Sequence, residues 1–379
     1  LGEIRFVDRE HIEEAAVLAD SIFRKEGQPS MAEEFPAIFS GHYECSVGYY
    51  AEGKLVSFIG VVPSLIQVGS ATLPLFSIGS VCTHPDHQGK GYAGALLQRV
   101  FEHIEASGGS LLYVSGDRSL YIRNGCAHFG SFRSYAFTPE VMQSLTCEDA
   151  RITIREAAES DRFRLQAWSD SNEVRYQRSL YETSVLVRAS ALASLSLLEQ
   201  KVYIVESERQ PVAYFILGVP SELGSKENPF VIEYGGTVNA MVQGLAIAFH
   251  RHKLSTLRMH VSWHETDLFE VLREVPSTES QNEGTIKIVN PARLWEQLTP
   301  YLLAKDDAAA RQVHIRNVDG QAGAADVLMN GKLLRLDSQA LISLLFNAEP
   351  KLSEEILEHS EYRALFPIPL PYAGGLHFI

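Results

Sequence analysis

Phe76-Ser-Ile-Gly-Ser-Val-Cys-Thr-His-Pro-Asp-His-Gln-Gly-Lys-Gly-Tyr-Ala-Gly94 is the stretch whose reading settles the rest of this chain. A strand-like apolar run exits into a polar loop, and glycines at 89, 91 and 94 fall where a helix begins. Glycine lets a backbone approach a ligand closely, and free N–H groups at a helix N-terminus bind anions. Lys90 adds a mobile point charge. The loop therefore reads as a cradle for phosphate or pyrophosphate. The helix that follows is predicted over Tyr92 to Ala106, with Ala93, Leu96, Leu97, Val100, Phe101 and Ile104 at helical spacing and Gly108-Gly109 as its stop. Leu111 to Ser115 is then an apolar strand of the kind buried within a sheet.

Upstream, Ile4 to Val7 reads as a strand and Ile12 to Phe23 as a helix. Tyr43 to Glu52 and Lys54 to Pro63 read as strands joined at Glu52-Gly53, a hairpin signal. Alternating strands and helices predict an α/β unit over residues 1–150. From Arg151 the order repeats. Ile152 to Arg155 is a strand, a helix lies around Phe163 to Trp168, and Val202 to Glu206 pairs with Val212 to Val219 about Arg209-Gln210. Phe230 to Tyr234 is the next strand, followed by helix Thr237 to His250, strand Thr256 to Ser262 and helix Leu268 to Val275. This repetition of pattern predicts an internal duplication over 151–284. A third unit over 285–379 holds strand Ile286 to Val289 and a helix from Pro291 to Ala304. It continues with a hairpin over Val327 to Leu336 turned at Asn330-Gly331 and a capped helix Ser338 to Phe346. The chain closes Phe366-Pro-Ile-Pro-Leu-Pro-Tyr-Ala-Gly-Gly-Leu-His-Phe-Ile379, where alternate prolines predict an extended tail lying along a surface.

Length and composition agree with two or three globular domains: 379 residues, 45% hydrophobic and 21% charged. Lys and Arg number 33 against 47 Asp and Glu, a net charge of −14, which argues against a nucleic-acid partner. Cys45, Cys82, Cys126 and Cys147 are scattered, with no disulfide framework, so a reducing interior is expected. The longest apolar runs, such as Val212 to Val219 and Ala340 to Phe346, fall short of the ~20 residues of a membrane helix, and no signal peptide is read at the start. The expectation is a cytoplasmic protein with no membrane partner. His250, His252, His260 and His264 lack zinc-site spacing, and no metal is expected.

Three nucleotide-type ligands compete for the glycine loop. A nucleoside triphosphate loop requires GK[ST], whereas Lys90 is followed by Gly91. Gly89-Lys-Gly-Tyr-Ala-Gly94 matches GxGxxG, and Asp117 ends a strand 23 residues later, an imitation of a dinucleotide fingerprint. Against it, Thr83 to Gln88 separate the strand from the glycines. The third option covers more of the chain: Gln88-Gly-Lys-Gly-Tyr-Ala93 resembles the [QR]xxGx[GA] motif of the GNAT superfamily of acyl-CoA-dependent N-acyltransferases.

That resemblance implies acetyl-CoA as acyl donor, its pyrophosphate held by main-chain N–H groups of Gly89, Lys90, Gly91, Tyr92, Ala93 and Gly94 beside Gln88. It implies that the strand edge at Val81, Cys82 and Thr83 pairs with the pantetheine arm, and that Gly116 and Asp117 complete the cofactor site. Asp117-Arg-Ser-Leu-Tyr-Ile-Arg-Asn-Gly125 resembles the family's second segment and makes Tyr121 the general acid towards the departing thiolate. A phenol with a pKa near ~10 is protonated and able to donate. Transfer would be direct, in a ternary complex, to a primary amine of a small molecule or peptide, leaving Cys82 and Cys126 as packing residues. His84, His87, His128, Glu33 and Glu34 are secondary candidates near this site.

The second unit shows the same order of elements but reads Glu233-Tyr-Gly-Gly-Thr-Val-Asn-Ala240 where a glycine loop should fall, which implies a degenerate GNAT-like domain. The whole resembles the tripartite enhanced-intracellular-survival (Eis-like) acetyltransferases, built from mixed α/β sheets with a sterol-carrier-protein-like C-terminal domain. This further implies a homo-oligomer and a terminal carboxylate, here that of Ile379, reaching the active site as base. With an ordinary pKa near ~3.5 such a carboxylate needs desolvation or a relay water. Two rivals stay open: a dinucleotide-dependent oxidoreductase built on the same glycines, and a non-catalytic CoA-binding protein.

Overall fold

The computed structural model describes residues 2–145, 151–222, 224–225, 227–350 and 360–379. The chain opens with strand β1 (Gly2–Phe6) and helix α1 (Ile12–Phe23), followed by short helices α2 (Met31–Glu34) and α3 (Pro36–Phe39). β2 (Val47–Ala51) turns into β3 (Lys54–Val68) through Glu52 and Gly53, both at positive φ (51° and 78°). That is the two-residue hairpin the sequence predicts, since such turns need left-handed residues at both positions. β3 then returns through Gly69 (φ 53°) into β4 (Ala71–Thr83). β3 outruns its predicted end at Pro63, because Pro63 and, on β4, Pro74 sit inside the ladder, opposite Phe76 and Leu65, instead of ending it.

Helix α4 (Tyr92–Ala106) crosses over from β4 to the parallel strand β5 (Leu111–Val114). Leu96, Leu97, Val100, Phe101 and Ile104 are all buried, in a core with Val47, Ile59, Val61, Phe76, Ile78, Leu112 and Val114. The far side of β5 pairs antiparallel with Thr285–Ile288, from Thr285 opposite Val114 to Ile288 opposite Leu111. The sheet order is thus β1-β2-β3-β4-β5 and then this distant strand. Helix Pro291–Lys305 joins the same unit: Arg293 donates to the Gly109 carbonyl (2.9 Å) and Gln297 to that of Gly108 (3.2 Å), at the end of α4. A three-stranded sheet (Val313–Asn317, Ala325–Met329, Lys332–Leu336) turns at Asn330-Gly331, both at positive φ, and leads to helix Ser338–Phe346, capped by Asp337.

Contacts divide the described residues into two units: Leu1–Gly130 with Asn282–Leu370 and Ile379, and Ser131–Gln281 with Pro371–Phe378. The chain therefore changes unit after Gly130 and after Gln281, where the sequence suggested breaks near 150 and 284. The reason is hydrogen bonding. Ser131–Phe137 pairs with Leu257–Ser262 and Ser277–Gln281 in the second unit's sheet, while the outer edge of β5 is completed from residues 285–288. Partners so far apart in sequence leave no local signal.

The second unit's sheet runs Ser277–Gln281, Ser131–Phe137, Leu257–Ser262, Phe230–Gly236, Gln210–Pro220, Leu198–Ser207, Ile152–Glu156. Its hairpin turns at Glu208 and Arg209 (φ 51° and 67°), one residue before the predicted pair. A Cβ on Gly236 would stand 2.5 Å from the Val212 carbonyl oxygen, and one on Gly235 2.7 Å from the Tyr214 ring, so both serve close packing. His252 and Tyr203 share a hydrogen bond (2.6 Å), as do His260 and Tyr372. Among the described residues no group of three or more His, Cys, Asp or Glu is placed to hold a metal ion. The predicted surface tail is instead buried at Ile368, Leu370, Ala373, Leu376 and Ile379, with His377 stacked on Tyr176. Among the described residues no helix is long and apolar enough to cross a membrane.

Candidate active site

Parallel pairing of β4 with β5 stops at Ile78 opposite Val114, yet β4 continues to Thr83. Just past that point Ser80 takes a left-handed φ of 51°. Gly60 pairs with Gly79 and Phe58 with Cys82, so Ser80 and Val81 face the single residue Ile59. This is a β-bulge, which leaves a residue outside the ladder and re-aims the strand. The Ser80 hydroxyl is shielded from solvent with no hydrogen-bond partner among the described residues. Beyond the bulge, Ser57 Oγ is bonded to Thr83 Oγ1 (2.7 Å) and donates to the Cys82 carbonyl (3.2 Å), which holds the strand end.

Between β4 and α4 the chain makes one tight turn over Pro85–His87, with the His84 ring accepting from the Asp86 N–H (3.3 Å). Gln88 folds back, its amide donating to the Thr83 carbonyl (3.3 Å), so its side chain shapes the loop. Gly89 and Gly91 sit at φ 75° and 80°, and a Cβ on either would meet nothing within 4 Å. Their glycine character answers to backbone conformation, and the space before them is open. Gly91 precedes a 15-residue helix whose first N–H groups no side chain caps. A long helix with uncapped donors and the positive end of its macrodipole turned outward suits an anion. Lys90 is exposed beside it, and Tyr92 stacks on Tyr49 at 3.7 Å between centroids. These features fit a diphosphate.

Past β5, Gly116 lies against Tyr121: a Cβ there would stand 3.7 Å from the ring edge. Tyr121 is carried by α5 (Ser119–Arg123) and is 5% exposed, packed with Leu96, Leu97, Val114 and Cys126. Burial raises its pKa above the ordinary phenol value, against the opposing charge of Arg118 and with a smaller push from Cys126. The phenol is therefore protonated throughout the neutral range. Asp117 is exposed, 4.0 Å from His128 Nε2, whose other ring nitrogen is 3.1 Å from the Gly284 carbonyl. Burial drives the Cys82 thiol to about 12 and those of Cys45 and Cys126 to about 11, which leaves no thiolate to act as nucleophile among them. Cys147 lies outside the described residues.

Residues 3–129 match the family model of the acetyltransferase (GNAT) domain. The match spans the bulge, the glycine loop and the Tyr121 segment. No curated protein matches the sequence. Among solved structures, a GCN5-related N-acetyltransferase from Anabaena variabilis is similar at 16% identity, with 98% of each chain covered and a TM-score of 0.63. Eis1 from Mycobacterium abscessus is similar at 15% identity, with 99% of each chain covered and the same TM-score of 0.63. A probable N-acyltransferase from Enterococcus faecalis shares 14% identity over 90% of this chain and 86% of that one, with a TM-score of 0.63. At these identities the likeness is one of fold, and it extends over nearly the whole chain.

Two groups beside the GNAT motifs complete the picture. A Cβ on Gly79, beside the bulge, would stand 2.5 Å from the main-chain carbonyl carbon of Ile379 and 2.8 Å from its oxygen, so only glycine leaves room for that residue. An isolated glycine within a strand is a sequence signal for a bulge or a close backbone approach, and Gly79 lies next to the first and makes the second. On α2, burial raises the Glu34 pKa despite Arg24, and one of its carboxyl oxygens is shielded without a hydrogen-bond partner among the described residues. Glu33 is exposed. Ser80 carried no sequence signal, because serine has no preference for a left-handed backbone; the register of β3 against β4 imposes it.

Proposed function

We propose that this protein transfers an acyl group, in the first place acetyl from acetyl-CoA, to a primary amine of a small molecule or peptide. The observation that supports this reading is the adjacency of two features: the open glycine loop at the head of α4, and the bulge where β4 parts from β5. A diphosphate at the first and a pantetheine arm along Val81, Cys82 and Thr83 extend the thioester towards Tyr121. The amine nitrogen attacks the thioester carbon, with the carbonyl oxygen turned to main-chain N–H groups near the bulge. The C–S bond breaks, and the thiolate takes the Tyr121 proton. Proximity and fixed dipoles supply most of the rate.

The proton released by the amine goes to a carboxylate, for which the main-chain carboxyl of Ile379 is the proposed acceptor, directly or through a water. Removing Ile379 alone should then lower kcat by about 10² while acetyl-CoA binding is kept. Unchanged kcat in that variant would move the base elsewhere, Glu34 being next. The reading also includes the Eis-like tripartite plan, with a degenerate second GNAT-like domain and a sterol-carrier-protein-like third, and a cytoplasmic homo-oligomer.

Two measurements test the whole. Acetyl-CoA at 100 times its dissociation constant should stabilise the protein by about 2.7 kcal/mol in a thermal melt, and NAD should not. Thiol release from acetyl-CoA should occur with at least one member of an amine panel. Stabilisation by NAD alone would favour the oxidoreductase. Binding of acetyl-CoA without release for any amine would leave a non-catalytic CoA-binding protein.

A further inference from the structure

The helix that carries Tyr121 is five residues long, far too short to hold its own position in water. Three side chains contributed from beyond residue 280 tie it down. Thr285 Oγ1 donates to the Gly116 carbonyl (2.9 Å), before the helix. Lys287 Nζ donates to the Asn124 carbonyl (2.8 Å), at its C-cap, and Ser338 Oγ donates to the Gly125 carbonyl (2.7 Å). Thr285 and Lys287 lie on the strand that completes β5, itself bridged to this segment through paired Ala127 and Ile286 backbones.

Lys287 is the unusual member. It is 4% exposed, and its ammonium lies 4.9 Å from the centroid of the Phe101 ring. A buried ammonium is costly unless its hydrogens find acceptors. Here it meets an end-of-helix carbonyl, where a cation is favoured, and an aromatic face. Gly125 keeps the space for it: φ is 82°, and a Cβ would stand 3.0 Å from Lys287 Nζ and 3.4 Å from Ser338 Oγ. The Tyr121 carbonyl in turn accepts from the N–H groups of Asn124 (2.9 Å) and Cys126 (3.1 Å), so a shift at residues 124–126 is passed to Tyr121.

We infer that Lys287 is a positioning residue for Tyr121, fixing with Thr285 and Ser338 the segment from Gly116 to Gly125 so that the phenol faces the departing thiolate. This rests on the proposed role of Tyr121. It adds that the acid's placement depends on residues more than 150 positions further along the chain.

The test is a double-mutant cycle on the full-length protein, with kcat and KM for acetyl-CoA measured for Lys287→Met, Ser338→Ala, Tyr121→Phe and their combinations. Lys287→Met should lower kcat at least tenfold and Ser338→Ala by about threefold. KM for acetyl-CoA should stay within about twofold in both, because the glycine loop is untouched. In the Tyr121→Phe background, Lys287→Met should cost less than twofold more. Equal losses from Lys287→Met with and without Tyr121 would reduce it to a general stabiliser and overturn the inference. So would unchanged kcat in Lys287→Met. If Lys287→Met does not fold, the same cycle run with Ser338→Ala decides: additive losses, or none, overturn the inference. Unchanged kcat in Tyr121→Phe itself would instead remove the general acid, a failure of the reading beneath.

Discussion

Tyr121→Phe should lower kcat by about 10² or more and leave KM for acetyl-CoA within about threefold. The phenol packs in the core beside Leu96, Leu97 and Val114, so removing one oxygen changes little of the fold. Its hydroxyl makes no hydrogen bond among the described residues, so the substitution breaks no structural bond of that kind. On the proposed mechanism, what is lost is the proton for the thiolate, and general acids contribute typically ~10²–10⁴-fold. An interaction made only in the transition state appears in kcat and not in KM. The pH profile gives the second reading of the same group. The acid works while protonated, and burial raises its pKa, so the alkaline fall in rate attributable to it lies above the phenol's usual ~10. Steady-state kinetics from neutral pH upward check both statements. A loss smaller than a few fold would take Tyr121 out of the chemistry.

Gly91→Val should raise KM for acetyl-CoA by about 10- to 100-fold and change saturated kcat by less than about threefold. Gly91 holds φ 80° at the residue before α4, a conformation that costs a β-branched side chain about 1–3 kcal/mol. Relief of that strain turns the first N–H groups of the helix away from the diphosphate position. Stability alone does not explain such a result, and Gly108 supplies the control. It holds φ 75° just past the other end of the same helix, with nothing within 4 Å of a Cβ. Gly108→Val should bring a similar loss in thermal stability with KM unchanged. Equal KM values in the two variants would mean that the loop does not hold the donor.

Where the signal was local, the sequence carried the structure closely. Residues 12–23 and 92–106 form helices with the predicted bounds because the apolar spacing is contained within each segment, and Gly108-Gly109 stop the second just beyond its end. Glu52-Gly53 and Asn330-Gly331 turn as predicted because two left-handed positions are written into each pair. The second unit's turn shifted by one residue, since Glu208-Arg209-Gln210 holds no glycine to fix which pair bends. Residues 131–137 and 277–281 carry strands that no regular alternation announced, because each needs its sheet neighbour to become one, whereas Val313-His-Ile-Arg316 does alternate and its strand was legible but not read.

By itself, then, the sequence determined an α/β chain with an open glycine loop at a helix head and a tyrosine segment one strand later. Both are short-range properties, set by backbone freedom and side-chain periodicity within a few residues. Tertiary structure alone decided the bulge at Ser80, the seat of Ile379 against Gly79, and the hold of Thr285, Lys287 and Ser338 on the Tyr121 segment. Each of these joins positions far apart along the chain, and a hydrogen bond or a steric fit between distant residues exists only once the sheet has brought them together.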